Sequence, residues 1–204
     1  MEYRAVANRC AVDIELLNLP ISDQEALEML LRSGFKILEV DLITLARQCI
    51  RTSQYCRGAK PSEAPAVLDC SSFIKWLYGM RGIWIPRRSI QQREIGAPVT
   101  IEEISKDDVI FSSGWIDYYH NDPSDGVGHV GIATGDGTII HAANKEVNII
   151  ESPLETFIGN DKFRGIRRYV PKGHTIFTLE TPILREVEIS DDLRWIILQS
   201  LPKK

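Results

Sequence analysis

The stretch Val67–Tyr78 most constrains the fold, because it predicts a buried helix that begins at a cysteine. Its apolar residues recur at helical spacing and would share one face: Cys70, Phe73, Ile74 and Leu77. Asp69 is placed to cap this helix, and the Gly79–Gly82 segment favours its end. A thiol in the first turn lies at the positive end of the helix dipole, which favours the nucleophilic thiolate. On this stretch alone, Cys70 is equally well a nucleophile or a small buried apolar residue.

A predicted β-hairpin carries two histidines farther along the chain. The segments His129–Ala133 and Thr138–Ala142 have the pattern of strands, and Gly135–Gly137 forms the turn between them. If Thr134 faces Thr138, the histidines share one face of the hairpin, with Cβ atoms roughly 6–8 Å apart. A register shifted by one residue would send them to opposite faces. The odd-length turn is therefore a prediction of the functional hypothesis, in which His129 is the base and His141 the orienting group for a thiol nucleophile.

Other segments predict a mixed helical and stranded chain. Ser22 and Glu25 form a capping box that opens a helix to about Arg32, and Asp41 is placed to cap a second helix. Trp115–Gly128 is a polar loop just before His129, long enough to form a wall or lid beside a site. Further strands and one short helix are predicted at Ile104–Phe111, Val147–Ile150, Phe163–Val170, Thr175–Leu179 and Asp191–Leu198.

Composition narrows the classes of function and partner. The 204-residue chain is 44% hydrophobic with a net charge of −4, which gives no indication of a nucleic-acid partner. No apolar run approaches the length of a membrane span, and the N-terminus has no signal-peptide pattern, so a cytoplasmic location is expected unless a signal was trimmed or export follows another route. No metal or cofactor is expected, because the histidines lack metal-ligand spacing and no C-x-x-C pair occurs among Cys10, Cys49, Cys56 and Cys70.

Several motifs in order resemble the NlpC/P60 family of papain-like cysteine peptidases. They are Asp69-Cys70-Ser71-Ser72-Phe73-Ile74, Asp107-Asp108-Val109-Ile110-Phe111, Gly128-His129-Val130-Gly131-Ile132 and Gly135-Asp136-Gly137-Thr138-Ile139-Ile140-His141-Ala142. Tyr55–Ala59 and Pro86-Arg87 followed by Gln91 or Gln92 add weaker similarity, and the whole covers about residues 41–170. The chain departs from the family at Ala59, Ser72 and Asp107, each of which replaces a glycine.

The resemblance implies an α+β, papain-like NlpC/P60 fold, in which the nucleophile-bearing helix packs on an antiparallel sheet. It predicts a catalytic domain at 41–171, and the rest of the chain is then expected to form an N-terminal helical extension at 1–40 and a C-terminal extension at 172–204. It also implies Cys70 as nucleophile, His129 as base and His141 as the third catalytic residue. Substrate subsites would be lined by Tyr55, Asp69 and Ser71.

Two of the polar residues near the nucleophile have alternative roles. Asp69 would pair with a free amine of the substrate or serve as the helix cap. Arg87 would meet a substrate carboxylate or, as the simpler interpretation, form an ordinary surface salt bridge.

The implied reaction is hydrolysis of cell-wall stem peptides at the γ-D-glutamyl bond to a diamino acid. Small muropeptides are the expected substrate form if the chain is cytoplasmic. One alternative keeps the site but acts on another amide or on a lipid or acyl substrate, which predicts an apolar groove beside Cys70, whereas a peptide substrate predicts a polar cleft. A non-enzymatic binding domain is the least favoured alternative, and the oligomeric state stays open.

Overall fold

The computed structural model describes residues 2–202, which divide into two compact units. The central unit comprises residues 41–77 and 85–171, and the terminal unit comprises, within the described range, residues 2–40, 78–84 and 172–202. The helices of the described chain are α1 (Asp23–Arg32), α2 (Leu42–Thr52), α3 (Cys70–Met80), α4 (Ser89–Arg93) and α5 (Ser190–Ser200). None of these helices combines the length and the apolar character that crossing a membrane requires.

The strands confirm the predicted α+β class. In chain order they are β1 (Arg9–Asp13), β2 (Lys36–Leu38), β3 (Gln54–Tyr55), β4 (Val67–Leu68), β5 (Ala97–Pro98), β6 (Val109–Ser112), β7 (His129–Ala133), β8 (Thr138–Asn144), β9 (Asn148–Pro153), β10 (Phe163–Arg168) and β11 (Ile176–Glu180). In the central unit six strands form an antiparallel sheet in the order β5-β10-β6-β7-β8-β9. β3 and β4 form a separate parallel pair.

The register of the β7–β8 hairpin is the one predicted from its turn. Ile132 faces Ile140, Ala133 faces Ile139, and the N–H of Thr134 donates to the carbonyl of Thr138. The alternation of side chains along each strand then puts His129 and His141 on the same face. Most residues of β7 and β8 are buried, so a register shifted by one residue would move their apolar side chains to the other face of the sheet.

Two helices of the central unit begin at aspartates, as their caps predict. The carboxylate of Asp41 accepts the N–H of Thr44 at 2.7 Å at the start of α2, and α2 packs against β9. Asp69 precedes α3 in the same manner. The predicted apolar face of α3 is buried, since Phe73, Ile74 and Leu77 have no exposed surface.

In the terminal unit a three-stranded antiparallel sheet has the order β1-β11-β2, and α1 contacts α5. Ser22 and Glu25 form the predicted reciprocal capping box at the start of α1. The strand β1 was not predicted from the sequence, although its Cys10 and Val12 are fully buried in the core of this unit. Residues of both predicted extensions therefore pair in one sheet, while the domain boundaries drawn from the sequence stay a prediction.

Candidate active site

Cys70 is the first residue of α3, and the helix start is fixed by its neighbours. Asp69 accepts the N–H of Ser72 at 2.8 Å, and the hydroxyl of Ser72 receives the N–H of Asp69 at 2.8 Å. These are the two reciprocal bonds of a capping arrangement. Ser72, which replaces a family glycine, thus contributes to the helix start while leaving Cys70 partly exposed to solvent.

The thiol of Cys70 lies against the backbone on both sides of His129. Its Sγ atom is 3.9 Å from the carbonyl oxygen of Gly128. The N–H of Val130 also donates toward the sulfur. Gly128 and Val130 flank His129 in the chain, so the structure brings the candidate nucleophile and the candidate base to the same point at the start of β7.

The two hairpin histidines are in direct contact. Nε2 of His129 lies 2.8 Å from Nδ1 of His141, and Nε2 of His141 lies 3.1 Å from the hydroxyl oxygen of Ser152 on β9. In the tautomers that leave Nδ1 of His129 free to accept a proton, His129 donates to His141 and His141 donates to Ser152. The hydroxyl of Ser152 can accept this bond, so the contact is compatible with the tautomer of His141 that a base at His129 requires.

Sequence reasoning missed two residues that contact this histidine pair. Ser152 carries no motif, and only the β8–β9 pairing, in which it faces Ile139, places it near His141. The ring of Phe157 lies 5.3 Å from the His129 ring and 5.0 Å from the His141 ring, measured between centroids. Phe157 is buried, so it shields the imidazoles from water on that side. The signal that could have found both residues is their position opposite or just after the predicted strand Val147–Ile150.

Burial decides the protonation of the site. It raises the pKa of Cys70 to about 12, and the charge of Asp69 acts in the same direction. The N–H of Ser71 at the helix start, the charge of Arg87 and the N–H of Val130 all lower the pKa of Cys70, but they are outweighed. The helix start therefore favours the thiolate as predicted, but burial outweighs it and favours the protonated thiol in the resting site.

The histidines are neutral for the same reason. Burial lowers the pKa of His129 to about 3, with a further contribution from the charge of His141, and burial lowers the pKa of His141 to about 4. A neutral His129 has an unprotonated ring nitrogen that can accept a proton, as a general base must. The resting pair is thus a thiol beside an imidazole, ready for proton transfer when a substrate carbonyl arrives.

These lowered pKa values predict a loss of stability in weak acid. The unfolded chain binds protons at the ordinary histidine pKa of about 6.5, whereas the folded chain resists them. The contribution of a neutral buried histidine is therefore complete above about pH 6.5 and disappears as the pH falls toward the folded-state value. For His141 this amounts to about 2 kcal/mol of unfolding free energy between pH 7 and pH 5.

Urea unfolding of the wild type and of His141→Gln, followed at several pH values from 7 to 5, measures this loss. Carboxylates titrate in both proteins, so the difference between the two curves isolates the histidine. We expect the difference to change by about 2 kcal/mol in favour of the variant as the pH falls. Parallel curves would show that His141 is not held neutral by the fold.

The three predicted subsite residues lie together beside Cys70. β3 pairs with β4 so that Tyr55 faces Leu68, which directly precedes Asp69. Burial raises the pKa of Tyr55, and the proximity of Cys70 and Asp69 raises it further. The hydroxyl of Ser71 lies 3.3 Å from a carboxylate oxygen of Asp69. Polar groups therefore surround the thiol on this side.

Asp69 is already fully paired, chiefly with Arg87. The guanidinium of Arg87 donates to both carboxylate oxygens of Asp69, at 3.0 and 2.5 Å, and to the hydroxyl of Ser71 at 2.8 Å. The N–H of Gly58 donates to the same carboxylate at 3.0 Å. These contacts hold the pKa of Asp69 below its usual range despite burial. Arg87 is thus a half-buried partner of Asp69 in place of the surface salt bridge that its sequence position suggested.

The loop before His129 forms a tethered flap, defined here as residues 113–128. Tyr118 and Val127 exchange two backbone hydrogen bonds across it, at 3.1 and 2.9 Å. The buried Arg93 holds both carboxylate oxygens of Asp125 at 2.7 Å. At its base Asp117 accepts the N–H of Gly114 at 2.7 Å. The flap is therefore an anchored structure, and it exposes four apolar or aromatic side chains: Trp115, Ile116, Tyr118 and Tyr119.

Cys70, His129 and His141 all lie within a segment that matches a known family and that covers most of the central unit. The NlpC/P60 family profile matches residues 53–168. The chain belongs to the NlpC/P60 family. This match includes every predicted site residue, although their individual roles stay predictions.

Named relatives and a solved structure agree with the family assignment. Gamma-D-glutamyl-L-lysine dipeptidyl-peptidase of Bacillus cereus is 36% identical over 103 residues, which are 50% of this chain and 29% of that protein. Gamma-DL-glutamyl hydrolase of Bacillus subtilis is 29% identical over 154 residues, 73% of this chain and 35% of that protein. This chain thus spans about a third of the length of these relatives.

The crystal structure of an NlpC/P60 family protein from Bacillus cereus shares the fold. It superposes with a TM-score of 0.51 at 30% identity, covering 64% of this chain and 40% of that one. The predicted papain-like NlpC/P60 fold is therefore confirmed. Within residues 2–202, no group of three or more histidine, cysteine or acidic side chains is arranged to hold a metal ion.

Proposed function

We propose that this member of the NlpC/P60 family is a cysteine peptidase that hydrolyses γ-D-glutamyl amide bonds to a diamino acid in cell-wall stem peptides. The observation that carries the proposal is the hydrogen-bonded series His129–His141–Ser152, which begins where the Cys70 thiol lies. One relative is named a gamma-D-glutamyl-L-lysine dipeptidyl-peptidase and the other a gamma-DL-glutamyl hydrolase, and both names support a γ-glutamyl substrate.

The proposed reaction begins with attack of Cys70 Sγ on the γ-carbonyl carbon of the glutamyl residue, while the thiol proton passes to Nδ1 of His129. The developing oxyanion faces the first turn of α3, where the N–H groups have no acceptor within the helix. His129, now charged, is stabilised by His141 through the 2.8 Å contact. Because burial disfavours this charge, the imidazolium gives its proton readily to the leaving amine.

Hydrolysis of the thioester completes the cycle. Water attacks the acyl carbon, His129 accepts one proton from it, and the tetrahedral intermediate expels the Cys70 thiolate. The thiolate then takes the proton back from His129, which restores the thiol and the neutral imidazole of the resting site. The glutamyl carboxylic acid and the free amine leave as products.

The surroundings of Cys70 favour a peptide over a lipid or acyl substrate. Tyr55, Asp69, Ser71 and Arg87 present hydroxyl, carboxylate and guanidinium groups beside the thiol. A long apolar chain placed there would lie against these polar groups and offer them no hydrogen bond, whereas a peptide carries its own donors and acceptors. The polar cleft expected for a peptide substrate is therefore the better fit.

The test is a mass-spectrometric digest of L-Ala-γ-D-Glu-diaminopimelate and of its disaccharide-linked form, with wild-type protein and with Cys70→Ala. We expect the wild type to cleave at the γ-D-glutamyl bond of at least one form and the variant to cleave neither. Intact substrates after prolonged incubation, with Cys70 still modified by a thiol reagent, would reject this substrate class and favour another amide or acyl substrate. The two forms also show whether a free peptide N-terminus is required.

A further inference from the structure

Within the part of the chain that the structure describes, Arg88 has no carboxylate partner, unlike the two other arginines of its segment. Arg87 is bound by Asp69, and Arg93 is bound by Asp125. Arg88 is exposed, and its guanidinium carbon lies 5.2 Å from the centroid of the Tyr118 ring on the flap. Across residues 2–202 no ion pair is found for it. Its charge is thus held in place by an aromatic face and remains available to an anion.

The position of Arg88 is tied to the backbone next to the thiol. The hydroxyl of Ser89, the following residue, is 3.5 Å from the carbonyl oxygen of Val127. Tyr118, under the guanidinium, exchanges its backbone hydrogen bonds with the same Val127. Val127 precedes Gly128, whose carbonyl oxygen is 3.9 Å from Cys70 Sγ. Ser89 and Tyr118, which position Arg88, therefore both bond to Val127, and Val127 is the neighbour of the residue that contacts Cys70.

The charge balance on this side of the site favours an anionic ligand. Arg87 already neutralises Asp69, so Arg88 adds a positive charge that no described acidic side chain compensates. A guanidinium offers paired N–H donors that match the two oxygens of a carboxylate. A γ-linked glutamyl residue keeps a free α-carboxylate close to its scissile amide, and an α-amidated residue does not.

We propose that Arg88, held against Tyr118, is a specificity-determining residue that binds the α-carboxylate of the γ-linked glutamyl residue. This inference rests on the proposed function and names the group by which its substrate is selected. It predicts that the protein discriminates between L-Ala-γ-D-Glu-L-Lys and the same tripeptide with the α-carboxylate amidated. The wild type should prefer the carboxylate form by about tenfold in kcat/KM, as expected for a charge-assisted hydrogen bond.

The experiment compares both tripeptides with the wild type, Arg88→Gln, Arg57→Gln and Arg4→Gln. Arg88→Gln should lose the preference by slowing cleavage of the carboxylate form about tenfold, with less than about twofold change for the amide. Arg4→Gln is the matched control, because Arg4 is also exposed and lies 5.0 Å from the ring of Trp84. High salt should reduce the wild-type preference and leave the Arg88→Gln ratio unchanged.

The outcomes separate this inference from the proposed function. Cleavage of both tripeptides with equal efficiency by the wild type, or a preference that survives Arg88→Gln, would overturn the role of Arg88 and leave the peptidase intact. Loss of the preference in Arg57→Gln in place of Arg88→Gln would assign the carboxylate to the exposed arginine near Tyr55. Failure of the wild type to cleave either tripeptide would refute the proposed function and this inference with it.

Discussion

Replacing Cys70 with alanine is expected to lower kcat/KM for the γ-glutamyl peptide by at least about 10⁴-fold, and His129→Gln by about 10³-fold. The double variant should be no slower than Cys70→Ala alone. The reason is that the proton removed by His129 is the proton of the thiol, so without the thiol the base has nothing left to activate. Steady-state kinetics on the three variants, with product quantified by mass spectrometry, measure this dependence.

Cys56→Ala is the matched control for the loss of a thiol. Cys56 is exposed. Within residues 2–202 its Sγ atom makes one hydrogen bond, to the carbonyl oxygen of Arg57 at 3.8 Å. We expect it to retain wild-type activity. Effects of the two single variants that multiply in the double variant would show that Cys70 and His129 act independently, which contradicts their proposed pairing.

The sequence could predict the part of this site that local patterns control. If Thr134 faces Thr138 across the three-residue turn, His129 and His141 share one face, and the β7–β8 pairing has this register. The cap at Asp69 and the apolar face of α3 followed from helical spacing in the same manner. The backbone conformation of Asp107 was not predicted, and its φ of +71° lies in the region that a glycine adopts without strain.

Contacts between distant segments could not be predicted. β1 pairs with β11, more than 160 residues along the chain, and no local pattern encodes such a pairing. The same limit concealed Ser152 as a partner of His141. The pKa of Cys70 is a third example. The N–H of Ser71 at the start of α3 lowers it, yet the desolvation that dominates it depends on groups from elements far apart in sequence.

Gly128→Ala is expected to lower kcat by about 10²-fold. Gly128 directly precedes His129, and at this crossing its backbone lies against the backbone of the flap at Gly114 and Ile116. A Cβ atom on Gly128 would lie 2.5 Å from the carbonyl oxygen of Ile116 and 2.8 Å from the nitrogen of Gly114, and it would also overlap a carboxylate oxygen of Asp117. Two of these are backbone atoms and cannot rotate away. Either the flap or the Gly128 carbonyl must move, and that carbonyl contacts Cys70.

A displacement of about 1 Å at a reacting group is enough for such a loss. Gly114→Ala tests the same crossing from the flap, since its Cβ would lie 2.8 Å from the carbonyl carbon and oxygen of Gly128. Gly79→Ala is the control, because its Cβ would meet only a side-chain methyl of Val6, at 3.3 Å. If the two crossing variants lower kcat together while their melting temperatures stay close to that of Gly79→Ala, the crossing positions the reacting groups. If kcat falls only in proportion to lost folded protein, Gly128 serves stability alone, and the flap is not coupled to the thiol.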